Sequence, residues 1–193
     1  MTLSDRIRLL LSSPDDATLD VYETPHIGHA FFIVTIFAFV SSFNSFLSAG
    51  IKSESFGFSL IAFLGTFFVT YVTWVFLTIV FHLAAEVWGG LGELPNALAF
   101  VGFAAAPMII TSVVSVFVTV GGGVVLPEDP EKILPKISLI MTLIGMGWGW
   151  PGLLCYYGLK NGERLHVAKA ATISLVAYIS IAVYELNTSS AFD

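Results

Sequence analysis

Long uncharged apolar runs alternate with short charged segments along the chain, and this pattern predicts helices that cross a membrane. A spanning helix needs roughly 20 residues, and most of the runs are longer than that. Backbone amides cannot stay unpaired in hydrocarbon, and the runs lack the alternation typical of barrel strands, so each is expected to be helical. The predicted spans are residues 27–50, 56–83, 95–120, 136–158 and 166–186.

These spans define the fold class as an all-α integral membrane protein with a five-transmembrane-helix bundle. Residues 26–187 form one membrane domain, and residues 188–193 form a tail. The longest connection is residues 121–136, in which three successive glycines are expected to end the third span and three prolines to stiffen the rest of the loop.

Residues 1–25 form a cytoplasmic N-terminal segment that is predicted to begin with a short amphipathic helix on the membrane surface. The alternative is a frayed terminus. Pro14, Asp15 and Asp16 are then expected to form a turn. The predicted apolar face consists of Leu3, Ile7, Leu10 and Leu11, with Asp5, Arg6 and Arg8 mostly off it.

Composition supports the membrane assignment. Hydrophobic residues make up 56% of the chain and charged residues 11%, whereas soluble domains carry about 25% charged residues. The lipid bilayer is therefore the first expected partner. The net charge of -6 argues against nucleic acid as another partner.

The distribution of positive charges predicts the orientation. Five spans place the two ends of the chain on opposite faces, and a cytoplasmic N-terminus puts five basic residues inside and three outside. The protein is then a multi-pass protein, of the plasma membrane if prokaryotic, with its C-terminus outside. The inner residues are Arg6, Arg8, Lys160, Arg164 and Lys169, and the outer ones are Lys52, Lys132 and Lys136.

Histidine and glutamate residues near helix ends raise the hypothesis of a divalent metal site. His26 and His29 are three apart, His82 and Glu86 are four apart, and the predicted topology places both pairs at the same membrane face. Imidazole and carboxylate suit a divalent transition metal. The alternative is that these residues mark where water begins, with Glu86 in an ion pair to Lys160, Arg164 or Lys169 of a neighbouring loop.

Proline and small residues interrupt the third and fourth predicted spans. Proline removes a backbone hydrogen bond, and small residues allow a neighbouring helix to approach closely. One interpretation is a pair of broken helices around a transport cavity, and the other is a static, tightly packed kink or a contact between two protomers. The residues concerned are Pro107, Pro151, Gly102, Gly145 and Gly149.

No nucleophile elbow, phosphate-binding loop or zinc-protease motif occurs in the chain, so enzymatic activity and a cofactor are not expected. The predicted spans also carry no deeply placed charge, which argues against a carrier for ions.

Three segments resemble the Yip-domain family, polytopic membrane proteins named for interaction with Ypt/Rab GTPases. Residues 82–107 show an apolar helix ending in His-Leu, a Gly-Gly turn with a further Gly, and a small-residue stretch that runs into Pro107. Residues 12–32 and 150–175 are similar to the acidic segment before the first span and to the end of the fourth span of short prokaryotic members.

The resemblance implies a five-helix bundle with a cytoplasmic N-terminus. It also implies a non-enzymatic role in organising or shaping the membrane or scaffolding partners, with a trafficking role in eukaryotic relatives. Contact with a small GTPase is not expected here, because the long N-terminal region of those relatives does not appear in this sequence. A small transporter or channel and a membrane metal-binding protein stay open as alternatives.

Overall fold

A computed structural model describes residues 2–53, 55–125 and 149–189, and all the regular secondary structure in these ranges is helical. Eight helices follow one another along these ranges of the chain. They are α1 (Leu3–Ser12), α2 (Pro14–Glu23), α3 (Ile27–Ser53), α4 (Phe56–Val87), α5 (Leu94–Ala104), α6 (Ala106–Val125), α7 (Gly149–Asn161) and α8 (Val167–Ser189).

Within the described ranges, three stretches are long and apolar enough to cross a membrane, and they coincide with the first three predicted spans. They are Ile27–Ile51, Phe56–Val87 and Leu94–Val120. The predicted fourth span, residues 136–158, lies mostly outside the described residues. The predicted fifth span falls on α8, in which Val167–Ala177 forms a shorter apolar segment. The count of five spans therefore stays a prediction.

The N-terminal segment is more ordered than the sequence pattern predicts. Thr2 and Asp5 form a reciprocal capping box that starts α1. The predicted turn at Pro14 is instead the first turn of α2, with Ser13 at the N-cap. Proline is favoured at this position because its missing N–H would have no helical partner, and Asp15 and Asp16 interact favourably with the helix dipole.

Arg6 lies on the opposite side of α1 from that expected. Its side chain was predicted to lie away from the apolar face, but it is only 1% exposed. Leu11, predicted to belong to the apolar face that meets the membrane surface, is 51% exposed. The contacts of Arg6 with α2 explain this difference and are described below.

Helix α5 lies at the centre of the packed core. It contacts α3, α4, α7 and α2, and eight of its residues are buried. Gly102 allows α3 to approach, because a Cβ atom at this position would lie 2.7 Å from the Ala30 Cβ. Gly158 of α7 allows a similarly close approach of the Phe100 ring. This second contact was not predicted.

The third predicted span is divided at Ala105, two residues before Pro107. The Ala105 N–H donates to the Gly102 carbonyl at 3.2 Å, a tighter pattern than the α-helical one. Pro107 has no N–H to donate and its ring crowds the preceding turn, which explains a break at this point. Gly121–Gly123, predicted to end this span, instead lie within α6.

Hydroxyl and amide groups link the apolar helices. Asn44 of α3 accepts from Thr119 of α6 at 2.8 Å, and Thr35 bonds Tyr71 of α4 at 2.6 Å. Two further links join Ser41 to Ser112 and Ser45 to Thr66. Such bonds satisfy polar side chains in hydrocarbon without introducing a charge.

The close approach at Gly102 leads to a first prediction. The Gly102→Leu variant should be less stable by about 1–3 kcal/mol, because the added side chain must displace α3. The apparent melting temperature of the purified protein in detergent measures this. Gly28→Leu on α3 is the matched control, since no atom lies within 4 Å of a Cβ atom there. Equal melting temperatures for the two variants would contradict the packing.

Candidate functional site

The polar contacts are concentrated at one end of the bundle, which we call the polar end. It comprises α1, α2, the turn after α4 at Trp88–Glu93, and the loop after α7 at Gly162–His166. Its charged side chains contact one another across elements that are distant in sequence.

A buried carboxylate, Glu163, lies at the centre of the polar end. Its side chain is 1% exposed, and its Oε1 atom lies 2.8 Å from Nδ1 of His82 at the end of α4. Its Oε2 atom is also buried and has no hydrogen-bond partner among the described residues. Burial raises the pKa of Glu163 above its ordinary value, although the hydrogen bond from His82 acts in the opposite direction.

The glycines after α4 are required by the geometry around Glu163. Gly89 has φ 85°, in the left-handed region, and the Gly90 N–H returns to the Ala85 carbonyl at 2.7 Å, so the helix ends in a Schellman motif. A Cβ atom on Gly92 would lie 2.5 Å from Oε2 of Glu163. The Leu91 N–H also donates to the Glu163 carbonyl at 2.9 Å. The turn and the loop are thus joined by both backbone and side chain.

The helical hairpin α1–α2 is attached to the end of α7, directly before this loop. Lys160 Nζ lies 3.0 Å from both carboxylate oxygens of Asp15, and the Asn161 amide donates to Asp15 at 2.8 Å. Asn161 also donates to Thr18 at 2.8 Å. The hydrogen bond from Asn161, followed by Lys160, lowers the pKa of Asp15, and Asp15 in turn raises the pKa of Lys160.

Arg6 holds the two helices of the hairpin together and against the core. Its guanidinium donates to the backbone carbonyl and the hydroxyl of Thr24 at 3.0 and 2.6 Å. Its Nε atom lies 3.0 Å from Asp20, and its Cζ atom lies 6.0 Å from the centroid of the Phe103 ring on α5. These contacts compensate its burial, since an unpaired charge would be costly there.

The expected ion pair of Glu86 with a loop cation was wrong. Lys160 contacts Asp15, Arg164 lies 5.2 Å from the Tyr22 ring, and Lys169 donates to the Trp88 carbonyl at 2.7 Å. The contact seen for Glu86 is with His82, whose Nε2 atom lies 3.6 Å from Oε1.

The four candidate metal ligands are not brought together. The rings of His26 and His29 lie 5.0 Å apart at the start of α3, while His82 is engaged with Glu163 and Glu86. In the part of the chain that the structure describes, no group of three or more His, Cys, Asp and Glu side chains could hold a metal ion. The geometry around His82 is that of a histidine–carboxylate pair.

Among the candidate kink residues, Pro151 lines an apolar cavity of about 650 Å³. Ala105 at the break, Pro151 in α7 and Cys155 line it, together with residues of α3, α4 and α8. No atom approaches within 4 Å of a Cβ position on Gly149, and Gly145 lies outside the described residues.

Sequence reasoning missed Glu163 and Asp15. Glu163 is 81 residues from His82, and no local pattern connects the two. A signal for α2 was present, because Ser-Pro-Asp-Asp is typical of a helix N-terminus, and a helix there would have placed Asp15 on a defined face.

Glu163 generates a prediction about pH. An acid whose pKa is raised by folding contributes stability below its ordinary pKa of about 4, and this contribution is lost as pH rises through the raised value. Glu163→Gln keeps the neutral form and still accepts from His82. We therefore expect its melting temperature, relative to the unmodified protein, to increase as pH rises from about 4.

The measurement is a series of melting curves in detergent at stepped pH. Glu93→Gln, which removes a carboxylate at an exposed position of the same turn, is the matched control. A flat or falling difference for Glu163→Gln would contradict the assignment.

Comparison with known proteins gives one match. A family model described as the Yip1 domain matches residues 8–184, nearly the whole chain. No curated protein and no solved structure matches the chain.

Proposed function

This chain belongs to the Yip1-domain family, and on that premise we propose that it is a non-enzymatic membrane protein that shapes or organises the bilayer through its α1–α2 hairpin. The observation that carries the proposal is the fixed hairpin at the polar end. The hairpin is short and amphipathic; the Arg6–Asp20 ion pair joins its two helices, and the Asp15–Lys160 ion pair joins it to α7.

The hairpin combines rigid attachment with exposed apolar side chains. Leu11 on α1 is 51% exposed and Leu19 on α2 is 41% exposed, whereas Leu10, Ala17 and Val21 of the same helices are packed in the core. Apolar groups on such helices insert at the boundary between head groups and acyl chains. Because the hairpin directly precedes α3, it would lie at that depth beside the first span.

Attachment to the bundle determines the mechanical effect. A hairpin held at one end adds cross-section to one leaflet and none to the other, and such an imbalance favours curvature. With the N-terminus in the cytoplasm, as the charge distribution predicts, the affected leaflet is the cytoplasmic one. This role needs neither a cofactor nor a small GTPase.

Vesicle reconstitution tests the proposal. The protein should reduce the mean diameter or induce tubules in vesicles of uniform size imaged by cryo-electron microscopy. Leu11→Asn/Leu19→Asn should lose this effect while the contacts of Arg6 and Asp15 are kept. Arg8→Asn, an exposed position on α1, is the matched control and should behave like the unmodified protein. Unchanged shaping by the double variant would refute the role of the hairpin.

A small carrier is the second candidate function, and the apolar cavity favours it. The cavity is lined by Ala105, at the break between α5 and α6, and by Pro151 of α7. Interrupted helices around a cavity near the bilayer midplane are typical of transporters.

Efflux from the same vesicles separates the two functions. Vesicles that contain a carrier should release an entrapped neutral solute faster than protein-free vesicles do. Vesicles that contain only a shaping protein should change form, but they should release the solute at the rate of protein-free vesicles. Shape change without flux would remove the carrier, and flux retained in Leu11→Asn/Leu19→Asn would show that transport does not depend on the hairpin.

A further inference from the structure

The apolar cavity is long and follows α4. Its lining on this helix extends from Ala62 to Phe81, a rise of about 28 Å at helical geometry. The hydrocarbon core of a bilayer is about 30 Å thick. The cavity volume of about 650 Å³ is within the range of roughly 300–1,000 Å³ for ligand sites. The shape fits an extended occupant better than a compact one.

The lining excludes a charged occupant. Among the described lining residues there is no Asp, Glu, Lys, Arg or His. Two of its hydroxyls are already used, since Thr66 donates to Ser45 at 3.0 Å and Thr70 donates to the Thr66 carbonyl at 2.9 Å. Transfer of an unpaired charge into such surroundings is strongly unfavourable.

Among the described lining residues, one buried polar side-chain group lacks a partner. The Ser174 hydroxyl of α8 is buried and makes no hydrogen bond. A buried hydroxyl without a partner costs free energy, so an occupant with a single polar atom near it would be favoured. The lining therefore suits a hydrocarbon chain with at most a weakly polar feature.

The opening determines which hydrocarbon reaches the cavity. Gly65, Val69 and Thr73 line it and are nevertheless exposed along α4, with Val69 61% exposed. α4 is long and apolar enough to span a bilayer, so this exposed face lies in hydrocarbon. The occupant with direct access is lipid.

We propose that the cavity along α4 binds one acyl chain of a phospholipid from the surrounding bilayer. This goes beyond the proposed shaping function, because the cavity lies within the bundle and its occupant has no part in the attachment of the hairpin. The bound chain fills the space between α4, α8 and the α5–α6 break and is retained when annular lipid exchanges.

Native mass spectrometry of the full chain provides the first test. After exchange into mild detergent, the protein should retain one phospholipid. Gly65→Phe should lose it, because the added ring enters the cavity at a position with no atom within 4 Å. Gly28→Phe, equally open but outside the cavity, is the matched control and should keep it. Equal retention by both variants would mean annular binding only and would overturn the proposal.

Cys155 provides a second readout that needs no variant to fold. It is the only cysteine in the chain, is free, and lines the cavity. In delipidated protein, its alkylation by a membrane-permeant maleimide should slow several-fold when palmitoyl-oleoyl phosphatidylcholine is added. A rate that does not respond to this lipid would overturn the proposal. The Leu11→Asn/Leu19→Asn variant should lose vesicle shaping but keep the protection of Cys155 by lipid. Failure of one proposal can therefore be distinguished from failure of the other.

Discussion

Burial of the Glu163 carboxylate at the end of an otherwise apolar bundle is the constraint on which the polar end depends. A buried carboxylate must be hydrogen-bonded, paired or protonated. His82 supplies the pairing, and the turn after α4 is shaped so that its backbone lies against the same group. The sequence between Ala85 and Gly92 meets this requirement with a left-handed glycine and with a position where no side chain fits.

The second set of contacts depends on the first. Lys160 and Asn161 precede Glu163 closely in the chain, so fixing the loop also fixes the groups that bind Asp15 and Thr18. The buried Arg6 side chain then holds α1 against α2. Exposed ion pairs contribute little by themselves, about 0–1 kcal/mol, but here the buried members restrict the exposed ones. The hairpin is therefore attached through a network and not through a single contact.

The sequence predicted the apolar spans well and the polar end poorly, for physical reasons. An uncharged run must be helical in hydrocarbon whatever it packs against, so α3, α4 and the α5–α6 pair follow from composition and length. The break before Pro107 follows from the chemistry of proline. The side of α1 on which Arg6 lies could not be predicted from helical periodicity. It depends on the partners of the guanidinium, which are Asp20 of α2 and Thr24 directly after α2. His82 and Glu163 meet only through the tertiary fold. The five-span count, the orientation and the fourth span stay predictions.

The break at Ala105 divides the third predicted span into two parts that differ in how closely they are packed. With 11 residues, α5 is about 16 Å long, which is half the thickness of the hydrocarbon core. Eight of the eleven residues of α5 are buried, whereas in α6 Pro107 is the one buried side chain among those described. The half of the bundle around α5 is thus closely packed, whereas in the other half α6 is joined to α3 by the Ser41–Ser112 and Asn44–Thr119 hydrogen bonds and leaves more of its surface exposed. A change in lateral pressure would be transmitted unequally through the two halves, so the molecule is mechanically polar along the membrane normal.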